Sequence, residues 1–356
     1  MTIADRRNDS RSMMLLPRRH SVRLMFGLGV AMISCGPAFT QKSLAAGRLL
    51  VANKGARNLS VVDVEKGKEV AVIAEDGITG HEVIASPDGH LAYVPIFGNS
   101  GVGRPGTDGQ LIRVIDLRQE RIVGTVDFGR GVRPHCPLIH PRTGELYVTT
   151  EIENSVSIID PGTLKVIGSI PTGQAESHML AISHDGRRGY TANVGPGTIS
   201  VLDLEKRSLL KTVQAATRVQ RISISPDDRW VVTADQTKLR LVVIDSKSDE
   251  VAGSIPLPGL GYGTAFTSDG RLLLVALPSL RKVGFIDWEK RHLIATVDVP
   301  KAPQNVLIQP GDARAFVSCD SSAQVAVIDL AKRVVEKLIP VGPGADGLAW
   351  ATIAQH

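Results

Sequence analysis

Cysteine is scarce in this chain. Only three cysteines, Cys35, Cys136 and Cys319, occur among 356 residues. Small exported domains that rely on disulfide bonds contain many more, so a disulfide framework does not hold this fold together. The stability of the protein must therefore come from a hydrophobic core.

The sequence also lacks the short motifs of several common chemistries. It contains no CxxCH for covalent heme, no GxSxG nucleophile elbow, no paired CxxC zinc motif and no glycine-rich phosphate loop between a strand and a helix. Self-contained hydrolase and nucleotide chemistry are therefore disfavoured. These absences do not exclude a cofactor that histidine side chains hold noncovalently.

Net charge is low once the N-terminal segment is set aside. The formal charge of the whole chain is +5, but residues 1–35 hold six arginines against two acidic residues. The remainder has 35 basic and 34 acidic residues. A body this close to neutral does not have the basic surface typical of nucleic-acid-binding proteins, so no nucleic-acid partner is predicted.

Residues 1–46 have the composition of an export signal. A basic stretch, PRRHSVR, precedes the apolar run LMFGLGVAMI and then small residues. Ten apolar residues are too few to span a bilayer, so we predict an exported protein without a transmembrane segment. Two processing patterns stay open. MISC (32–35) resembles a lipobox and would place a lipid anchor on Cys35, whereas SLA (43–45) would release a soluble periplasmic or secreted protein.

A repeat of about 42 residues fills the rest of the chain. Segments of the type VIDL end in seven aspartates at intervals of 53, 44, 43, 42, 42 and 42 residues: Asp63, Asp116, Asp160, Asp203, Asp245, Asp287 and Asp329. Each unit contains four short strand-like runs, and turn sequences such as SPDG (86–89) separate the first two. Strand-rich repeats of this length predict an all-β, seven-bladed propeller of four-stranded antiparallel blades. At the turn into the fourth strand, each aspartate is expected to accept hydrogen bonds from backbone amides.

The segments LYVTT (146–150), GYTAN (189–193) and LLVAN (49–53), each leading into a VIDL-type strand, resemble the YVTN-type β-propeller repeat proteins. The resemblance covers nearly the whole chain after the export signal. It implies the fold and an exported location, but it assigns no single function, because those proteins have varied roles.

The ends of the repeat indicate how the ring closes. The body opens on a second strand, RLLVAN, and ends on an orphan first strand, GLAWA (347–351). We therefore predict that residues 47–356 form one propeller domain, a monomer, in which the C-terminal strand completes the N-terminal blade and removes the exposed edges.

Histidines recur where the chain enters the first strand of each blade, which lines the central channel. Aligning the repeats gives one row of seven entry positions: His81, His135, His178, Gln220, Tyr262, Gln304 and Asp346. Three consecutive blades thus carry histidine, and blades about 51° apart would let the three imidazoles converge. The next position holds further potential ligands in Glu82, Cys136 and Met179, and also Arg221.

Three interpretations of the histidine row remain open. Three imidazoles leave an open coordination position suited to zinc or copper, with Glu82, Cys136 or Met179 as possible extra ligands. They could instead bind an organic or anionic ligand together with Gln220, Tyr262, Gln304, Asp346 and the arginines Arg133, Arg218 and Arg221. They could also be structural, since duplicated blades keep residue types and rim histidines can simply bond loop carbonyls.

One loop is longer than its counterparts. FGNSGVGRPGTDGQ (97–110) inserts about 12 extra residues between the second and third strands of the second repeat. Because these loops share a face with the entry positions, we expect this segment to lie over the histidines as a lid, unless it is a neutral insertion.

The sequence favours an exported binding protein that uses this loop-bearing face. The first alternative is a metal-dependent enzyme, such as a lyase, a lactonase or an oxidoreductase subunit, in which the histidines would be ligands and Glu82 or an adjacent acid would act as the base. The second is a scaffold for protein partners. Convergence of the three imidazoles would argue against a pure scaffold.

Overall fold

The computed structural model of the protein describes residues 47–352, and the predicted export signal with Cys35 lies outside them. The described residues form seven four-stranded sheets, in which every strand pairing is antiparallel. The predicted seven-bladed all-β propeller is therefore confirmed. Short 3-10 turns at Pro278–Leu280 and Asp320–Ser322 are the helical segments of this part of the chain, and it has no helix long and apolar enough to cross a membrane.

The strand bounds repeat regularly from blade to blade. Blade 1 contains β1 (Gly47–Asn53), β2 (Asn58–Asp63) and β3 (Lys68–Ala74). Blade 2 contains β4 (Ile84–Ala85), β5 (Leu91–Gly98), β6 (Asp108–Asp116) and β7 (Arg121–Asp127). Blade 3 contains β8 (Pro134–Ile139), β9 (Leu146–Thr150), β10 (Ser155–Asp160) and β11 (Lys165–Pro171). Blade 4 contains β12 (Ser177–Ile182), β13 (Arg188–Asn193), β14 (Thr198–Asp203) and β15 (Ser208–Gln214).

The second half of the ring follows the same plan. Blade 5 contains β16 (Val219–Ile224), β17 (Trp230–Asp235), β18 (Arg240–Asp245) and β19 (Glu250–Pro256). Blade 6 contains β20 (Thr264–Phe266), β21 (Leu272–Leu277), β22 (Lys282–Asp287) and β23 (His292–Asp298). Blade 7 contains β24 (Pro303–Ile308), β25 (Arg314–Cys319), β26 (Gln324–Asp329) and β27 (Val334–Pro340), after which β28 (Ala345–Thr352) ends the described chain.

The last strand closes the ring as predicted. The strand order of blade 1 is β28-β1-β2-β3, so the C-terminal strand occupies the innermost place. Leu49 pairs with Trp350 and Val51 with Leu348. Because the first and last segments share one sheet, the ring has no open seam at which a neighbouring chain could pair.

The core lies between neighbouring blades. The middle strands of each blade are buried along nearly their whole length. Each outermost strand buries one side chain, the sixth of seven: Ile73, Val126, Ile170, Val213, Ile255, Val297 and Ile339. Burial on both faces explains why the middle strands read as continuous apolar runs such as SVVD and SIID.

The seven repeated aspartates are turn residues, which confirms their predicted role. In every blade the carboxylate accepts a hydrogen bond from a backbone N–H two or three residues later, as from Lys66 to Asp63 and from Lys332 to Asp329. These backbone hydrogen bonds also hold the pKa of Asp63 and of Asp329 below the ordinary value.

Candidate functional site

A cavity of about 230 Å³ lies where the entry positions meet at the channel mouth. Six of the seven entry residues line it, each from a different blade, and Gln304 does not. Its complete lining is Lys54, His81, Phe97, Gly101, Val102, His135, His178, Arg218, Gln220, Arg221, Tyr262 and Asp346. The repeat register therefore identified most of a real cavity.

Irregular strand entries aim these side chains inward. In β8, β12, β16 and β24 the pairing with the second strand skips at the rim, between Pro134 and Pro137 in β8 and between Val219 and Ile222 in β16. Such a bulge leaves residues unpaired and turns their side chains. Consecutive residues Gln220 and Arg221 consequently both line the cavity, which strict strand alternation would not allow.

Hydroxyl groups on the second strand compensate for the bulges in β8 and β24. The freed N–H of Cys136 donates to Thr149 Oγ1 at 3.0 Å, and the N–H of Asn305 donates to Ser318 Oγ at 3.0 Å. These hydroxyl positions match the threonine of the YVTN-like segments. Thr149 and Ser318 therefore stabilise the irregular entries of blades 3 and 7.

The three histidines meet around Phe97 of β5. The rings of His135 and His178 stack with centroids 3.6 Å apart, and His81 approaches His135 edge-on with centroids 5.6 Å apart. The Phe97 ring lies 5.0 to 5.7 Å from all three imidazoles. The structure thus brings together the three histidines that the repeat aligned.

Burial keeps these imidazoles neutral. Desolvation lowers the pKa of His81 to about 4 and places the pKa of His135 well below the usual 6.5. Desolvation also lowers the pKa of His178, although Glu151 opposes this shift. At neutral pH each ring therefore keeps one unprotonated nitrogen that can accept a hydrogen bond or bind a metal.

The present ring arrangement is not a formed metal site. Within residues 47–352, no group of three or more His, Cys, Asp or Glu is placed to hold a metal ion. His135 and His178 meet face to face, so their nitrogen lone pairs do not point at one centre. The Nδ1 atoms of both rings are buried and have no hydrogen-bond partner among the described residues.

The proposed additional ligands lie elsewhere. Cys136 and Met179 are buried in the apolar core between blades, and burial raises the pKa of the Cys136 thiol to about 12, so it stays a protonated thiol. Glu82 is buried and forms an ion pair with Arg221. None of the three lines the cavity.

Arg221 crosses the channel and joins distant blades. Its guanidinium contacts Glu82 in the entry to blade 2, and its Nη2 donates to Asp346 Oδ1 of the closing strand at 2.8 Å. The other oxygen of Asp346 contacts Lys54 Nζ at 3.2 Å, and Lys54 also pairs with Asp320. Arg221 and Asp346 are each only 5% exposed, so these charges are held inside the molecule.

The pKa values of the two carboxylates that contact Arg221 shift in opposite directions. Burial raises the pKa of Glu82 to about 7, against the opposing effect of Arg221. Burial would also raise the pKa of Asp346, but the charges of Arg221 and Lys54 outweigh it and lower that pKa. Since Arg221 is committed to these partners, it supplies positive charge to the cavity without a free hydrogen-bonding face.

Arg133, a predicted ligand contact, instead holds the long loop. Its Nε donates to Asp108 Oδ1 at 2.6 Å, its Nη2 to the Arg104 carbonyl at 2.7 Å and its Nη1 to Glu151 Oε1 at 3.1 Å. Arg133 does not line the cavity, whereas Gly101 and Val102 of the loop do. We call residues 99–107 the insert, and in this structure it covers the cavity.

The repeat pattern of the sequence did not identify Lys54, Glu151 and Asp320 as residues of the site. All three occupy the same repeat position, directly after the second strand of blades 1, 3 and 7. Alignment of that position across the repeats places them on the same face as the entry positions. Their roles would still have been hidden, because the Lys54–Asp320 pair and the Glu151–His178 approach join different blades.

Comparison with known proteins supports the propeller fold. Residues 142–263, about a third of the chain, match the model of the cytochrome D1 heme domain. No curated protein matches the chain significantly.

Two solved structures share the fold at low sequence identity. The hydrazine synthase of Kuenenia stuttgartiensis is 16% identical with a TM-score of 0.70, covering 83% of this chain and 98% of its own. A functionally unknown protein from Desulfotomaculum acetoxidans is 13% identical with a TM-score of 0.72, covering 87% and 100%. The chain is therefore similar in fold to these propellers.

Proposed function

We propose that this protein is a binding protein whose ligand occupies the cavity at the channel mouth. The observation that carries this proposal is the convergence of side chains from six blades on one cavity. A scaffold that used only its outer surface would have no need of two buried histidines, a half-buried third and a buried arginine at the channel. The YVTN-type resemblance of the repeats is compatible with this role.

The ligand is small. The cavity of about 230 Å³ is below the roughly 300–1,000 Å³ of pockets that hold drug-sized molecules. The family model that matches residues 142–263 is named for a heme domain, and that range includes His178, Gln220 and Tyr262. A heme does not fit the cavity while the insert covers it, because the macrocycle is larger than most drug-sized ligands.

Charge favours an anion. Three cationic residues line the cavity, Lys54, Arg218 and Arg221, and the histidines are neutral. Asp346, Asp320 and Glu82 compensate Lys54 and Arg221, so Arg218 is the cation left for a ligand. Arg218 is exposed and forms no ion pair with the described residues, so its donors are free. The Tyr262 hydroxyl accepts a hydrogen bond from Gln220 Nε2 at 3.1 Å, which leaves its own proton for a ligand oxygen. A small carboxylate or oxyanion fits this set of donors.

Titration calorimetry with small anions tests the proposal. Acetate, formate and sulfate are compared with acetamide, a neutral molecule of the size of acetate. We expect an anion to bind, acetamide to bind at least tenfold more weakly, and Arg218→Gln to weaken the anion by about tenfold or more, the effect of one charged hydrogen bond. Arg130→Gln is the matched control, because Arg130 lies outside the cavity and pairs with Glu153. Equal binding of acetate and acetamide would contradict the anionic ligand.

A metal site is the second candidate. It is favoured by three neutral imidazoles and by the unpartnered Nδ1 atoms of His135 and His178. Binding zinc or copper would require His135 to rotate off the face of His178. Metal analysis of protein purified without chelator, compared with the His81→Ala/His135→Ala/His178→Ala variant, tests it. If the parent protein carries no stoichiometric metal and cannot be loaded with zinc or copper, the metal hypothesis is wrong.

We place this binding protein in the periplasm or outside the cell, either released or held by a lipid on Cys35. The basic and apolar parts of residues 1–46 support export. Cell fractionation with N-terminal sequencing of the mature protein distinguishes the two. A blocked N-terminus at Cys35 indicates lipidation, a free N-terminus after Ala45 indicates release, and an intact N-terminus contradicts export.

A further inference from the structure

Two buried polar atoms without partners face each other beside the cavity. His178 Nδ1 lies 3.6 Å from Glu151 Oε2, and neither atom has a hydrogen-bond partner among the described residues. The side chains are only 6% and 3% exposed, so both atoms lie inside the molecule. The separation is just beyond hydrogen-bond distance, and an approach of about half an ångström would satisfy both atoms.

The other oxygen of the same carboxylate holds the insert. Glu151 Oε1 accepts hydrogen bonds from the Gly103 backbone N–H at 3.0 Å and from Arg133 Nη1 at 3.1 Å. Arg133 in turn binds Asp108 and the Arg104 carbonyl, at the end of the insert and within it. The Glu151 carboxylate therefore lies between Gly103 at the tip of the insert and the His178 imidazole in the cavity wall.

We infer that Glu151 is a positioning residue that couples the seating of the insert to the tautomer of His178. With the insert seated, Gly103 and Arg133 fix one carboxylate oxygen, and the second oxygen accepts a hydrogen bond from protonated Nδ1 of His178. The ring then keeps Nε2 unprotonated, available to the cavity as an acceptor or ligand. When the insert leaves, Glu151 loses the Gly103 donor and Arg133 loses the Arg104 carbonyl, so the carboxylate is no longer fixed and no longer selects this tautomer.

The insert tip can be displaced independently of Glu151. Gly103 has φ of +64°, a conformation that residues with a side chain rarely adopt, and a methyl group there would overlap the Glu176 carboxylate. Gly103→Ala therefore strains the tip and weakens its seating, and it leaves the Glu151 carboxylate and His178 chemically intact. The coupling itself does not depend on which ligand the cavity binds.

Nitrogen NMR of ¹⁵N-histidine-labelled protein without ligand tests the coupling, with His178 assigned from a His178→Asn variant. In the parent protein we expect Nδ1 of His178 to be protonated and Nε2 to be unprotonated.

The variant Glu151→Gln tests the role of the carboxylate, because the glutamine side chain has one accepting and one donating end. Since two N–H donors hold the accepting end, Glu151→Gln turns its NH₂ toward His178 and moves the imidazole proton to Nε2. Gly103→Ala should give a mixture of tautomers and raise hydrogen exchange of the insert amides by about tenfold or more.

Glu153→Gln is the matched control. Glu153 lies two residues along the same loop and pairs outward with Arg130, so this change should leave both readouts at the parent values. Three results would each overturn the inference. These are a parent His178 protonated at Nε2, an unchanged tautomer in Glu151→Gln with the insert still protected, and an unseated insert in Gly103→Ala with no change at His178. Neither readout requires a ligand, so failure to find one would leave this test intact.

Discussion

Replacing Arg221 with methionine tests whether the charges across the channel stabilise the ring. Arg221 is the only described cation in contact with Glu82, whereas Asp346 also contacts Lys54. The substitution therefore leaves one buried carboxylate without a counter-charge, and removing one partner of a buried ion pair costs about 3–5 kcal/mol. We expect a loss of this size in the free energy of unfolding at pH 8.

The sign of the pH dependence follows from the carboxylates. Without Arg221 the pKa of Glu82 rises further above that of the unfolded chain, and the pKa of Asp346 loses one of the charges that lower it. A buried acid with a raised pKa destabilises a protein at high pH. The deficit should shrink as pH falls, by at most about 1.4 kcal/mol per pH unit for each proton taken up, and it should be small at pH 5.5.

Urea unfolding followed by tryptophan fluorescence at pH 8 and pH 5.5 measures both effects. Adding Glu82→Gln to Arg221→Met removes the unpaired charge and should recover at least about 2 kcal/mol at pH 8. Arg218→Met, an exposed arginine on the same rim, is the control and should cost less than about 0.5 kcal/mol. A loss below 1 kcal/mol at pH 8, or a loss that does not vary with pH, would refute the reasoning.

Three further predictions concern closure, the insert and acid stability. A chain without residues 345–352 should fail to give a folded monomer on size exclusion, because β1 then exposes a long unpaired edge; a folded monomer would contradict the closure. Replacing the insert with Asn-Gly should leave the circular dichroism spectrum unchanged and change the affinity for the anion found by calorimetry by about tenfold, whereas an unfolded product would show the insert to be structural. Because the pKa of His81 falls to about 4 on folding, the stability this neutral ring provides is complete above pH 6.5 and is lost between pH 6.5 and 4, by about 3 kcal/mol. His81→Gln should flatten the unfolding free energy over that range, and an unchanged slope would show that other groups cause it.

The fold could be predicted from the sequence because its information is local. Each blade lies within about 42 residues, its turns are recognisable from residues such as SPDG, and the spacing of Asp63 to Asp329 fixes the number of blades. Closure followed from a missing first strand at one end and an orphan strand at the other. A regular register also predicted which residues stand at the same height in the ring, which is why six of seven entry residues line one cavity.

The directions and partners of the site residues required the tertiary structure. Gln220 and Arg221 both face the cavity because the strand entry is bulged, and alternation along a strand does not predict a bulge. Arg133 turned out to hold the insert, because its partners Asp108 and Glu151 belong to two different blades. No local pattern indicates such contacts.

The sequence alone thus determined the blade count, the ring closure and the meeting of His81, His135 and His178 at the channel mouth, since a repeat places equivalent positions at equivalent points of a circle. Only the tertiary structure decided that two of these rings stack, that Arg221 reaches across the channel to Asp346, 125 residues away, and that Glu151 links the insert to His178. Side-chain orientation and charge pairing depend on neighbours brought together by ring closure, and that information is spread over the whole chain.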